Sequence, residues 1–174
     1  MMAMDEVEKL IEDLRDALRV KRLMGNGAKL ARIEADLILM GEPGVKALIE
    51  ALKGDDTELA DHAARLLGGI SEPAVEPLLG LLADAKDSDV RKRAMNVLID
   101  VGMPAVKPLV EASRKPGYKH VRREISKILV AINAGVMRHA NSFGCVEKAV
   151  LRKLKVPDEF KKAMLDAAPK KLKL

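Results

Sequence analysis

Two sets of apolar residues recur along this chain at a step close to 31 positions, and no other feature constrains the fold as tightly. Leu59, Ala63, Leu66, Leu67 and Ile70 return as Val90, Ala94, Val97, Leu98 and Val101, and again as Val121, Ile125, Ile128, Leu129 and Ile132. That spacing is one face of an α-helix. A second stripe precedes each copy: Val45, Leu48 and Ile49; Val75, Leu78 and Leu79; Val106, Leu109 and Val110. Val7, Leu10 and Ile11 begin the series, and a less regular partner runs through Leu30, Ile33, Leu37 and Met40. Each unit therefore holds two short amphipathic helices. One such pair cannot bury its own stripe, but stacked pairs share a continuous core.

The punctuation agrees with this register. Pro43, Pro73 and Pro104 stand two residues before each later Val, where the missing N–H of a first helical turn costs nothing. Gly41 and Gly102 end the preceding helices, while Ser71 and Asn133 hold that slot in the other units. Asp55, Asp56, Thr57 and the run Asp84 to Asp89 separate the two helices of a unit and can cap the second. Pro77 and Pro108 fall inside first helices, which predicts that those helices bend or start nearer the second proline. Residues 15–27 read as an insertion. The expected organisation is a solenoid over 1–134, with units at about 5–41, 42–71, 72–102 and 103–134, followed by a linker and capping helices over 135–174. In that last segment Val146, Ala149, Val150 and Leu154 suggest one helix, and Phe160, Met164 and Ala167 another.

Composition fits packed helices. The apolar residues are almost all aliphatic, with no Trp, one Tyr and two Phe. Cys145 has no second cysteine to pair with, so a disulfide scaffold is excluded and a cytoplasmic location expected. No apolar run approaches the roughly 18 residues that span a bilayer. The formal net charge is +5, and the whole excess lies late: residues 134–174 hold 10 Lys and Arg against 4 Asp and Glu.

The segments from Leu30 to Ile49 and from Val90 to Val106 resemble the HEAT-like repeat of the phycocyanobilin-lyase type, whose pattern runs V-R-x-x-A-x-x-A-L-G-x-x-G-x-P-x-x-V-x-x-L. The resemblance implies an all-α superhelix, a HEAT-like solenoid of about four helix pairs plus a C-terminal helical cap. It also implies that the second helices line the concave side. It says little of function, because such repeats occur in scaffolds, lyase subunits and hydroxylases alike.

Chemistry is sparse. His62, His120 and His139 have no metal-ligand spacing, and none is followed by Glu, as the di-iron hydroxylases of HEAT type require. No cofactor, metal site or catalytic set is expected. Opposite the core stripe of each second helix, about 100° per residue places a candidate partner-binding face. It comprises Glu34, Ile38, Asp61, Arg65, Lys92, Met95, Asn96, Ile99, Arg123, Ser126, Lys127 and Val130, with Ile99 and Val130 expected as exposed aliphatic patches. These residues point to a non-catalytic scaffold or adaptor that holds another protein or peptide. One alternative is an enzyme or lyase-like subunit. The other is nucleic-acid binding through Arg91, Lys92, Arg93, Arg122 and Arg123, a basic strip suited to phosphates but almost without aromatic residues to stack on bases. No membrane partner is expected.

Overall fold

A computed structural model describes residues 2–24 and 27–140. Eight α-helices account for nearly all of them: α1 (Met2–Met24), α2 (Gly27–Leu39), α3 (Glu42–Lys53), α4 (Thr57–Ile70), α5 (Glu72–Asp84), α6 (Ser88–Val101), α7 (Met103–Arg114) and α8 (Arg122–Ala140). A single 3₁₀ helix, Pro116–Val121, links α7 to α8. No strand occurs among the described residues. Helices pair as α1 with α2, α3 with α4, α5 with α6, and α7 with α8. First helices stack in one layer, α1 on α3 on α5 on α7; second helices stack in the other, α2 on α4 on α6 on α8. The chain is an all-α solenoid.

The repeating stripes are what the two layers bury. Leu48, Leu78 and Leu109, at one register of the first helices, are each fully buried. So are Ala63 and Ala94, with Ile125 in the same register of α8. Burying one Leu or Ile contributes about 1.5–3 kcal/mol, so each added unit stabilises its neighbours through several such residues. Leu10, Ile11 and Ile70 are half-buried and packed at the margin of the core, and Met40 at the end of its stripe is half-buried too.

Helix ends follow local chemistry. Asp56 caps α4 by accepting from the Leu59 N–H at 3.1 Å, and Asp87 caps α6 by accepting from the Asp89 N–H at 2.6 Å. The equivalent stretch before α8 has no Asp, and there the chain turns through the 3₁₀ helix instead. Val121 keeps its core position there, but the α-helix starts at Arg122, three residues later than the 31-residue step from Ser88 of α6 would place it. Gly41, Ser71 and Gly102 each join one unit to the next with φ near +65 to +71° and ψ near −125° (64, −126; 67, −121; 71, −129).

Three expectations need correction. Pro77 and Pro108 do not delay their helices: α5 already begins at Glu72 and α7 at Met103, because Pro73 and Pro104 initiate them a turn earlier. The insertion at 15–27 is largely helical, since α1 runs on to Met24 and is 23 residues long against 12 in α3. The linker does not begin at 135. Helix α8 continues through Asn133 and Gly135 to Ala140. The slot two residues after the junction residue is Pro43, Pro73 and Pro104 in the other units and Gly135 here, so nothing forbids another helical turn. The capping helices expected from Val146 onward, and Cys145, lie outside the described residues.

Candidate partner-binding face

The second helices present their non-core side as one strip across α2, α4, α6 and α8. Ile38, Asp61, Arg65, Lys92, Asn96, Arg123 and Lys127 are exposed on it. Glu34, Met95, Ile99, Ser126 and Val130 are half-buried. Met95 and Ile99 pack against the core, so the expected Ile99 and Val130 patch is not an open aliphatic surface. The stacked second helices lie close enough to cover those side chains: a Cβ on Gly68 of α4 would lie 3.6 Å from the Asp100 Cβ of α6. The Ser126 hydroxyl is occupied within its own helix, donating to the Arg122 carbonyl at 2.9 Å.

At the α2–α4 junction the face carries a polar cluster. His62 Nε2 lies 2.6 Å from Glu34 Oε1, and Arg65 Nη2 donates to the same oxygen at 2.5 Å. Histidine was a bland residue in the sequence; here it sits with only 10% of its side chain exposed and ties two units together. Repeat spacing could have suggested this, because Glu34 and Arg65 are one 31-residue step apart. A single imidazole beside one carboxylate is not a metal centre, and no group of three His, Cys, Asp or Glu that could hold a metal occurs among the described residues.

The five candidate phosphate contacts divide into two groups. Arg91 Nη2 donates to the Ala85 carbonyl at 2.5 Å and Arg122 Nε to the Ser113 carbonyl at 2.8 Å. Arg93 Nη1 reaches across to the preceding unit, donating to the Leu52 and Gly54 carbonyls at 3.1 Å each. These are the carbonyls that a helix C-terminus leaves without intrahelical partners, and a cation is favourable there. His120 does the same for α5, its Nε2 lying 2.9 Å from the Ala83 carbonyl. The three half-buried arginines are thus turned inward onto backbone. Lys92 and Arg123 remain exposed. Lys92 is held by Asp89 at 2.9 Å, and the hydrogen bond and charge of Asp89 raise its pKa above the ordinary lysine value. Arg123 and Lys127 have no ion-pair or hydrogen-bond partner among the described residues.

Charge is distributed unevenly along the stack. Residues 42–71 carry 3 Lys and Arg against 6 Asp and Glu, and residues 72–102 carry 4 against 6, whereas 103–134 carry 7 against 2. The free cations of the face belong to the basic end.

Stacked helix pairs around one continuous aliphatic core, recurring at a step of about 31 residues, define an α-solenoid repeat protein. The HEAT repeat family matches residues 45–129, the stretch from α3 well into α8, and the chain carries HEAT-like repeats there. A solved structure described as that of an engineered protein is 21% identical, with 94% of this chain and 87% of that chain covered and a TM-score of 0.33. No curated protein matches. HEAT repeats commonly serve as protein-interaction scaffolds, and the family is generally non-enzymatic. No helix among the described residues is long and apolar enough to cross a membrane.

Proposed function

We propose that this protein is a non-catalytic scaffold or adaptor that holds another protein on the face of its second helices, with the acidic part of that partner over α6 and α8. The observation that carries this reading is the contrast between cations turned onto backbone and cations left free. Arg91, Arg93 and Arg122 are engaged with carbonyls, while Arg123 and Lys127 are exposed without a partner among the described residues, on the same face as Lys92 and Asn96. Free charges beside a rigid, well-packed scaffold favour an acidic partner by electrostatic complementarity.

The same contrast weighs against the nucleic-acid alternative. Of the five residues that would contact phosphates, three have guanidinium groups already donating to backbone, and counterion release scales with the number of phosphates neutralised. The enzyme alternative has only the resemblance of the repeat to support it.

The test is capture of a stoichiometric protein partner by the immobilised full-length chain, repeated with Lys92→Glu plus Arg123→Glu. Loss of capture by the double variant, with an unchanged melting temperature, is the expected result. Retained capture, or salt-sensitive binding of random duplex DNA abolished by the same double variant, overturns the proposal.

A further inference from the structure

The molecule has a second surface of opposite character at its other end. A groove of about 530 Å³ runs between the N-terminal half of α1 and the C-terminal end of α2. Its apolar lining is Leu10, Leu39 and Met40. Leu39 is 83% exposed, far beyond Ile38 at 45%, Met103 at 47% and Val20 at 44%, the other exposed large apolar residues among those described. A leucine left so fully in water on the wall of a groove has apolar area that a ligand would bury with gain.

The rim is acidic. Glu6, Asp13 and Asp36 line it, with Lys9 as the one cation. None of these three carboxylates has an ion-pair or hydrogen-bond partner among the described residues, whereas Glu34, Glu42, Glu50, Asp56 and Asp89 are all paired. The helix behind the rim adds to the field, since residues 5–16 hold six Asp and Glu against two Lys and Arg. One of those two, Arg15, is turned to Asp56 at 3.6 Å.

We propose that this α1–α2 groove docks a basic amphipathic helix of a partner protein, its aliphatic stripe on Leu10, Leu39 and Met40 and its Lys or Arg residues against Glu6, Asp13 and Asp36. A helix laid between two helices is a standard way to fill such a groove, with anchors one turn apart. The acidic rim selects the sign of the partner: it repels acidic peptides and anionic lipid surfaces and attracts cations. The groove lies at the opposite end of the stack from Arg123 and Lys127, the cations of the second-helix face that have no partner among the described residues. The two surfaces would let one short solenoid join a basic partner to an acidic one.

The experiment measures fluorescence anisotropy of a labelled helical peptide of Leu and Lys in amphipathic spacing, titrated with the full-length chain. The same peptide with Glu for Lys is the control. Binding of the Leu/Lys peptide is expected, with no binding of the Leu/Glu peptide. Affinity should fall about tenfold or more in Leu39→Ser and again in the triple variant Glu6→Gln, Asp13→Asn, Asp36→Asn, while Glu111→Gln, at an exposed carboxylate of α7 outside both surfaces, has no effect. Leu39 is too exposed for Leu39→Ser to unfold the protein, and an unchanged melting temperature checks this. No binding of the Leu/Lys peptide, or binding indifferent to Leu39→Ser, overturns the proposal. So does sedimentation showing self-association that Leu39→Ser abolishes, for then the occupant is a second copy of this chain.

Discussion

Gly44 of α3 lies so close to α2 that a Cβ built on it would stand 2.1 Å from the Leu37 carbonyl oxygen and 3.1 Å from the carbonyl carbon. The equivalent residues of the next two units are Ala74 and Ala105, both fully buried, so only the first junction demands a glycine. Gly44→Ala must push α2 away from α3, and backbone cannot yield as a flexible side-chain tip can. Such overpacking costs about 1–3 kcal/mol. Thermal denaturation should show Gly44→Ala melting several degrees lower, at about 2–4 °C per kcal/mol for a chain of this size. An unchanged melting temperature would mean that the two helices are not in this contact.

Ser71 predicts the opposite sign. It adopts φ 67° and ψ −121°, the conformation that Gly41 and Gly102 adopt at the equivalent joints. A side chain is strained there, at about 1–3 kcal/mol, and the Ser71 hydroxyl makes no capping hydrogen bond to α5 that would offset it. Ser71→Gly should therefore stabilise the protein by about 1 kcal/mol, less the extra chain entropy that glycine brings to the unfolded state. Chemical denaturation that shows Ser71→Gly weaker than the parent would contradict the assigned backbone.

Arg93 and Arg123 separate structural cations from free ones. Arg93 donates to two carbonyls at the end of α3, some 40 residues away in sequence (separations of 41 and 39). Hydrogen bonds involving a charged group contribute about 1.5–3 kcal/mol, and the site is partly buried. Arg93→Ala is expected to destabilise by about 2 kcal/mol, whereas Arg123→Ala should change stability by no more than about 0.5 kcal/mol. Urea midpoints of the two variants give the comparison, and equal midpoints would remove the distinction on which the binding face rests.

The Asp89–Lys92 pair should be visible in a pH titration. The Lys92 hydrogen bond and charge lower the Asp89 pKa below its ordinary 3.8, and Asp89 raises Lys92 above its ordinary 10.5. A lowered carboxyl pKa gives stability present above the unfolded value and lost as pH falls through the folded one. A raised lysine pKa gives stability present below the unfolded value and lost as pH rises through the folded one. The pair is thus intact at neutral pH and released at both extremes, below about pH 3.8 and above about pH 10.5. In NMR titrations Asp89→Asn should return Lys92 toward its ordinary value, and Lys92→Ala should return Asp89 upward. By releasing Lys92 at neutral pH, Asp89→Asn should also tighten capture of an acidic partner.

Much of the architecture was legible because helical burial is periodic. Val90, Ala94, Val97, Leu98 and Val101 could be assigned to one buried face from spacing alone, and all five are buried. The candidate face was legible only in outline. In the run Arg91-Lys92-Arg93 all three residues look alike as cations, yet successive side chains differ by about 100° in direction. Arg91 and Arg93 meet carbonyls at helix ends, and Lys92 between them meets solvent and Asp89. The targets Leu52 and Gly54 belong to another unit, and carbonyls carry no signature in a sequence.

From the amino-acid order alone came the period, the pairing of helices within a unit and the identity of the core. These depend on local spacing and on proline placement, which act within a few turns. Tertiary packing decided which polar groups are free. It set His62 and Arg65 on Glu34, turned Arg93 onto α3, demanded glycine at Gly44 but accepted alanine at Ala74, and left Leu39 bare in a groove lined by Glu6, Asp13 and Asp36. Those outcomes depend on distances between units, which differ from one junction to the next although the repeat is the same.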